Sequence, residues 1–416
     1  MRYAALVFAI LIPLVLHSCK GSTHKDAPEF EPPVAESGIE GLLCLDGQAV
    51  RIEIAGGEIV AIKPLPAAAD QPAFYVAPGL IDIQINGYMG VDFSDQNLSV
   101  EGVRKAVKAL WKAGVTTILP TVITGDRETT VHCFSVLSQA LKDEEIARSV
   151  PGFHLEGPYI SPLKGFRGAH LEKYIRPPDW DEFMGFQEAA GGKIRLITVA
   201  PEAEGAIPFI RNCKQQGILV SLGHHNGNAE EINAACEAGA SLATHLGNGC
   251  ANMINRHNNP LWPQLANDSI SVSLIADGFH LNKEEVRTFY KVKGLNKTLL
   301  ISDALDLAGM EPGTYVRGER SVLLTENVVK FPAENVLAGA ASPISACVGN
   351  MMAFTGCSLA EAIQMSTTNQ ARMLGMDHLG EIAEGKRADL VLFSMEDGKM
   401  IIQQTIIAGE VVYSRK

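Results

Sequence analysis

Short apolar runs recur through the middle of the chain, and they are continuous runs, not apolar–polar alternations. They predict strands over 79–85, 115–120, 152–155, 194–199, 218–222, 241–245, 271–276 and 298–302. A strand that is apolar on both faces belongs in a parallel sheet covered on both sides. Between the runs lie segments of helical character at 100–113, 128–145, 179–190, 203–216, 229–238 and 282–292. Eight strand–helix units over about 250 residues suit an α/β fold closed as a (β/α)8 TIM-type barrel better than an open sheet. A doubly wound nucleotide-binding sheet would carry a glycine fingerprint at its first crossover. The chain has no G-x-G-x-x-G after a strand and no Walker loop.

The two ends of the chain read differently. Short strands are expected at 39–45, 49–54 and, after Gly56-Gly57, at 58–62. The far end mirrors this, with β-rich 389–393 and 401–413 broken by Asp397-Gly398 and Ala408-Gly409-Glu410. The expected architecture is a small β-sandwich domain built from 38–77 and 380–416, with the barrel, 78–379, inserted between its halves. Residues 319–332 read as a strand pair, an excursion after the eighth barrel strand.

Residues 1–18 stand apart. Arg2 precedes an apolar run, 4–16, interrupted only by Pro13. A membrane-spanning helix needs about 20 such residues. A charged start followed by a short apolar stretch is instead the pattern of a secretory signal. Leu16-His17-Ser18-Cys19 is similar to a bacterial lipobox. That predicts an exported protein held in the cell envelope, on its periplasmic or surface side, through lipid on Cys19 alone. Residues 19–37, polar and carrying Pro28, Pro32 and Pro33, read as a flexible tether.

Composition narrows the remaining classes. The chain has 416 residues, 46% apolar and 20% charged, which is globular composition. Its net charge of -12 argues against a nucleic-acid partner, which would require a basic surface. The eight cysteines form no C-x-x-C pair, so a cysteine zinc site is not expected. Most of them read as small apolar packing residues.

In such barrels the chemistry gathers at the C-terminal ends of the strands. Strand 1 ends in Asp82, Gln84 and Asn86; strand 3 in His154 and Glu156; strand 5 in His224 and His225. Strand 6 ends in His245 and Asn248, strand 7 in Asp277 and His280, and strand 8 in Asp303. Any one of these alone reads as an ordinary hydrogen-bonded residue. Six converging ends that each deliver a polar side chain are not explained by packing. Glu156, His224 and His245 make a catalytic zinc set, three protein ligands with one position left for water or substrate. Such an ion brings the pKa of its water to about 7 and polarises a carbonyl. Asp303 is the natural proton carrier beside it, and a nearby cation favours its ionised form.

Taken together, these segments resemble the amidohydrolase superfamily and, within it, the N-acetylglucosamine-6-phosphate deacetylases. The resemblance covers residues 38–413. It is carried by the strand ends above, by Pro78-Gly79-Leu80-Ile81-Asp82, by His154-Leu155-Glu156-Gly157-Pro158-Tyr159 and by Gly168-Ala169-His170. The tail from Leu379-Gly380-Glu381 to Arg387-Ala388-Asp389-Leu390 matches the superfamily's return into its small β domain. The usual His-x-His on strand 1 is replaced by Gln84-x-Asn86, as in deacetylases that use one metal. The resemblance therefore implies a single divalent ion on Glu156, His224 and His245, zinc by preference, with iron or manganese also suited to these donors. It implies Asp303 as the catalytic acid and base and His170 as the group that polarises the acetyl carbonyl. Gln84 and Asn86 would face the substrate. Asn248, Gly249, Arg256 and His280 would hold a sugar phosphate, the arginine reaching in from a neighbouring subunit of a homodimer. The guanidinium fork suits phosphate or sulfate oxygens, although Arg256 also reads as one half of a surface salt bridge. The implied reaction releases acetate from a small N-acetylated amino sugar.

The chain departs from the family pattern at Asn248-Gly249-Cys250, at His257-Asn258-Asn259-Pro260, at Asp303-Ala304-Leu305-Asp306 and near 337–341. All four stretches face the substrate. Sugar phosphates are cytosolic, whereas the N-terminus reads as an export signal. Either another amide is the substrate, a sulfated or wall-derived N-acetyl sugar or an N-acyl amino acid, or the N-terminus is not an export signal and the protein is cytoplasmic. A non-catalytic glycan-binding lipoprotein would be expected to lack a ligand or the base, and all four positions are filled.

Overall fold

In the computed structural model the described residues are 36–66, 72–317, 320–326, 328–333 and 336–416. The expected signal, 1–18, and Cys19 lie outside them. The chain first pairs locally: β1 (Ser37–Leu43), β2 (Ala49–Ala55) and β3 (Glu58–Pro64) form an antiparallel ladder. Gly56 and Gly57 join β2 to β3 with φ of 59° and 81°. A two-residue hairpin turn of this hand demands φ above zero at both positions, which glycine meets without strain. β4 (Tyr75–Pro78) then lies parallel to β1 and leads into the barrel.

The barrel strands are almost wholly buried runs, as their apolar sequences require, with Arg195 on β10 the one exposed residue among them. β5 (Leu80–Ile85) is followed by a small hairpin, β6 (Gly87–Tyr88) and β7 (Val91–Asp92). Next come β8 (Val115–Ile123), β9 (Phe153–Glu156), β10 (Ile194–Val199) and β11 (Leu219–Leu222). β12 (Ala240–Ala243), β13 (Ser271–Leu274) and β14 (Thr298–Leu300) complete the set. They pair in parallel from β5 through β8 to β14 in chain order. The seam between β14 and β5 is bridged just above the strands, where Asp303 N donates to Gln84 O at 3.0 Å and Asn86 N to Ala304 O at 2.9 Å.

Helices cover the barrel, and side chains fix where they begin. Ser99 Oγ accepts from Gly102 N, and Asn228 and Asn282 each open a capping box with a glutamate three residues on. The single helix expected over 128–145 is two, Arg127–Ala140 and Glu144–Ala147. Asp143 accepts from Glu145 N and starts the second. Three helices near the end, Ile344–Thr355, Leu359–Ser366 and Thr368–Met373, complete the outer layer. Among the described residues no helix is long and apolar enough to cross a membrane.

The excursion after β14 holds four antiparallel strands where a pair was expected: β15 (Gly313–Arg317), β16 (Arg320–Leu324), β17 (Val328–Phe331) and β18 (Val336–Ala340). Val322, Leu324, Val329 and Phe331 pack on Leu305 and Leu307. β18 returns to the barrel, with Ala340 N donating to Asp303 O at 3.0 Å.

β19 (Leu390–Glu396), β20 (Lys399–Ile407) and β21 (Glu410–Ser414) close the chain, and β19 pairs with β4. Both chain ends thus share one seven-stranded sheet, ordered β21-β20-β19-β4-β1-β2-β3. Its two flanks meet, since Ala388 N donates to Gly57 O at 2.8 Å. Between them lies a core of its own, with Val50, Ile52 and Ile59 from one end and Leu390 and Ile406 from the other.

Candidate active site

Glu156 is the last residue of β9, and His224 and His245 follow β11 and β12. The backbone leaves its strand geometry where it presents these side chains. His224, His245 and Asp303 have φ of 51°, 31° and 50°. Among the described residues only six non-glycine residues have positive φ, and these are three of them. Such left-handed backbone costs on the order of 1–3 kcal/mol per residue and gathers at functional sites.

The His224 ring is held on several sides. Its Nδ1–H donates to the Phe166 carbonyl oxygen at 3.1 Å, which leaves a lone pair on Nε2. A Cβ on Gly168 would lie 2.8 Å from His224 Cε1, and one on Gly249 would lie 2.7 Å from His224 Nδ1. Only glycine permits so close an approach at both positions, each with φ of +56°.

Three donor atoms converge. His245 Nε2 lies 3.0 Å from Glu156 Oε1 and 3.1 Å from His224 Nε2, and His224 Nε2 lies 3.4 Å from Glu156 Oε1. All three residues are buried, and their ligand atoms fall within 4.8 Å of one another, so they could hold a metal ion. Two imidazole nitrogens and one carboxylate oxygen are the donors of a three-ligand zinc site. With lone pairs on both Nε2 atoms, 3.1 Å apart, the rings would repel, and a cation between them would remove that repulsion. Burial alone would raise the Glu156 carboxyl. Without a metal, protons on His224 Nε2 and His245 Nε2 would outweigh it and hold Glu156 well below the usual carboxylate range.

Asp303 stands opposite. Its Oδ1 accepts from Asn86 Nδ2 at 2.7 Å and from Gln84 Nε2 at 3.3 Å. Gln84 Nε2 also donates to Glu156 Oε1 at 2.9 Å, so one carboxamide spans both carboxylates. Burial, and then the nearby Glu156 charge, raise the Asp303 pKa. His170 packs edge-on against the His224 ring, centroids 4.3 Å apart, and its Nδ1 meets Thr124 Oγ1 at 2.8 Å.

The outer residues are arranged less uniformly. His280 Nδ1–H donates to Asp277 Oδ2 at 2.7 Å, and His280 is close enough for its charge to act on Asp303. Asn248 and Gly249 line a small cleft with His224, and Asn248 Nδ2 is buried without a partner. Arg256 is exposed on the loop after β12, where its carbonyl accepts from Trp262 Nε1 at 2.9 Å. Among the described residues its guanidinium has no ion-pair partner. The structure thus brings together Glu156, His224, His245, Asp303, Gln84, Asn86 and His170.

His154, also at a strand end, takes no part. Its ring is buried between Thr121 Oγ1 at 3.2 Å and Thr198 Oγ1 at 2.8 Å. Two supporting residues were given no role from sequence. Asp277 orients His280, and its place at the end of strand 7 was a usable signal. Thr124 meets His170 from the end of strand 2, and an uncharged threonine after an apolar run carries no such signal.

Comparison with known proteins agrees with this geometry. Residues 75–412 match the Amidohydrolase family. N-acetylglucosamine-6-phosphate deacetylase of Bacillus subtilis is 32% identical over 358 residues, 85% of this chain and 88% of the relative. N-acetylgalactosamine-6-phosphate deacetylase of Escherichia coli O157:H7 is 32% identical over 363 residues, 87% of this chain and 94% of the relative. The crystal structure of N-acetylglucosamine-6-phosphate deacetylase from Thermotoga maritima superposes with a TM-score of 0.81 at 32% identity, covering 91% of this chain and all of that one. The barrel, the three convergent ligands and these relatives together place the chain in the amidohydrolase family, among its N-acetylhexosamine-6-phosphate deacetylases.

Proposed function

We propose that this protein removes the N-acetyl group of an amino sugar 6-phosphate, releasing acetate and the free amine. The observation that carries this reading is the Gln84 carboxamide, which ties the proton carrier Asp303 to the ligand Glu156 at 3.3 and 2.9 Å. A divalent ion on Glu156, His224 and His245, zinc by donor type, would supply Lewis acidity and lower the pKa of a water. Asp303 Oδ2 makes no hydrogen bond to the described residues, so it is free to take the proton of the attacking water. Asn86 and Gln84 hold the other oxygen, which fixes the direction in which Oδ2 points. His170 then donates an N–H to the acetyl oxygen as negative charge develops there. Asp303 passes its proton to the departing nitrogen, and the carbon–nitrogen bond breaks.

The sugar phosphate is assigned to Asn248, Gly249 and His280, with Arg256 supplied by a second copy of the chain in a homodimer. An exposed guanidinium with no ion-pair partner among the described residues is suited to that role. One relative acts on N-acetylglucosamine 6-phosphate and another on the galactosamine epimer, so both belong in the assay. Residues 1–18 are proposed to direct export and Cys19 to carry lipid, which labelled fatty acid incorporated by the wild type and not by Cys19→Ser would support.

The test is metal analysis together with acetate release from both N-acetylhexosamines, each free, 6-phosphorylated and 6-sulfated. Release fastest from a 6-phosphate, with about one metal per chain, is expected. Asp303→Asn should retain the metal and lose most turnover. An active Asp303→Asn enzyme, or no acetate from any of these sugars, overturns the proposal.

A further inference from the structure

Strand 2 brings no charged residue to the site. The first residue past β8 is Thr124, which is buried. Its Oγ1 lies 2.8 Å from His170 Nδ1 and 3.4 Å from the backbone carbonyl oxygen of Glu156. A hydroxyl has one proton to give. If that proton goes to the carbonyl, Thr124 must accept from His170 Nδ1–H, and His170 Nε2 carries a lone pair. If it goes to the imidazole, the ring's own proton sits on Nε2.

We infer that Thr124 is a positioning residue whose hydroxyl donates to His170 Nδ1, so that His170 presents Nε2–H to the substrate's carbonyl oxygen. The contact to the ring is a full hydrogen bond at 2.8 Å, whereas the contact to the Glu156 carbonyl at 3.4 Å is at the limit of one. The chain keeps room for this hydroxyl. Gly157 has φ of +78°, and a Cβ there would lie 2.1 Å from Thr124 Oγ1. Nε2 makes no hydrogen bond to the described residues, while the ring is set edge-on against His224.

The tautomer decides what His170 does. With the proton on Nε2 it stabilises the oxyanion. With the proton on Nδ1, a nitrogen lone pair meets an oxygen lone pair, and the same ring opposes the reaction. The inference rests on the proposed role of His170 at the acetyl oxygen.

Thr124→Val keeps the shape and removes the hydroxyl, and Thr124→Ser keeps the hydroxyl. Each is compared with His170→Gln and with the Thr124→Val/His170→Gln double variant, on the full metal-loaded chain. Losing the partner that orients a working imidazole costs about 10–100-fold, so Thr124→Val should lower kcat by that factor. KM and metal content should stay near wild type, and Thr124→Ser should recover most of the rate. The double variant should be no slower than His170→Gln alone, because Thr124 acts through His170. The inference is overturned if the two losses multiply, or if Thr124→Val turns over normally while His170→Gln does not. A fully active His170→Gln enzyme overturns the proposed role of His170 instead.

Discussion

Asn86 Nδ2 donates to Asp303 Oδ1 at 2.7 Å across 217 positions of sequence, joining the first barrel strand's end to the last. The bond takes up one carboxylate oxygen and leaves the other for the substrate. Asn86→Leu leaves Asp303 only the longer bond from Gln84, at 3.3 Å. The expected loss in kcat is about 10–100-fold, with KM nearly unchanged, read by acetate release. Asn86→Asp is the sharper variant. It sets a second carboxylate against Asp303, and like charge raises the pKa of a carboxyl. The acidic limb of the kcat profile should therefore move to higher pH. A limb that stays in place would argue against Asp303 as the base.

Gly249 is expected to be as sensitive as a ligand. In Gly249→Ala the added carbon would lie 2.7 Å from His224 Nδ1, at a φ of +56° that alanine resists. The ring must tilt, and its bond to the Phe166 carbonyl weakens. Metal affinity should fall by about tenfold or more, measured by competition with a chelator. Activity restored by excess metal would show that the defect lies in the ligand and not in the fold.

Two buried histidines should make the fold sensitive to acid. Burial pushes His154 down from its ordinary 6.5 to about 4, and His225 likewise to about 4. Between these values the unfolded chain binds more protons than the folded one. Their contribution is fully present above pH 6.5 and is lost as pH falls towards 4. Each is worth about 3 kcal/mol over that window. Urea midpoints should drop steeply there, and His154→Asn should flatten the slope only in part, since His225 and His170, which burial also holds down, remain. An unchanged slope would exclude His154 as a contributor.

What the sequence disclosed follows from the physics of each element. Barrel strands buried on both faces must be apolar runs, so all eight were visible. A histidine or glutamate that ends such a run has no packing reason to be there, which is why Glu156, His224, His245 and Asp303 stood out. The helix Ile344–Thr355 did not, because its apolar residues extend round the axis and leave no stripe with a helical period. Thr124 was silent because a threonine at a strand end is ordinary until its partner, His170, is brought to it from 46 residues away. The four-stranded excursion was read as a pair because its outer strands bury little: β15 has no buried residue and β18 buries only its last two.

That excursion is tied to the barrel by charge as well as by packing. Arg317 on β15 is largely buried between Asp92 of the β6–β7 hairpin and Asp306, whose Oδ1 lies 3.1 Å from Arg317 Nε. Burial raises the Asp306 carboxyl to about 6, with Arg317 working against that rise and Asp92 adding to it. Arg317→Met removes the positive charge that offsets the Asp92 and Asp306 carboxylates. Breaking a buried pair from one side costs about 3–5 kcal/mol, so the variant should unfold at a clearly lower temperature at pH 8. The sign of its pH dependence follows from Asp306. A carboxyl whose folded pKa lies above its unfolded one favours the fold at low pH and disfavours it as pH rises through the folded value. Without Arg317 that value moves higher still. The deficit of Arg317→Met against wild type should therefore shrink as pH is lowered from 8 towards 5. Asp306→Asn added to Arg317→Met should recover part of the loss at pH 8. A deficit that stays constant with pH would mean that Arg317 contributes its alkyl packing and not its charge.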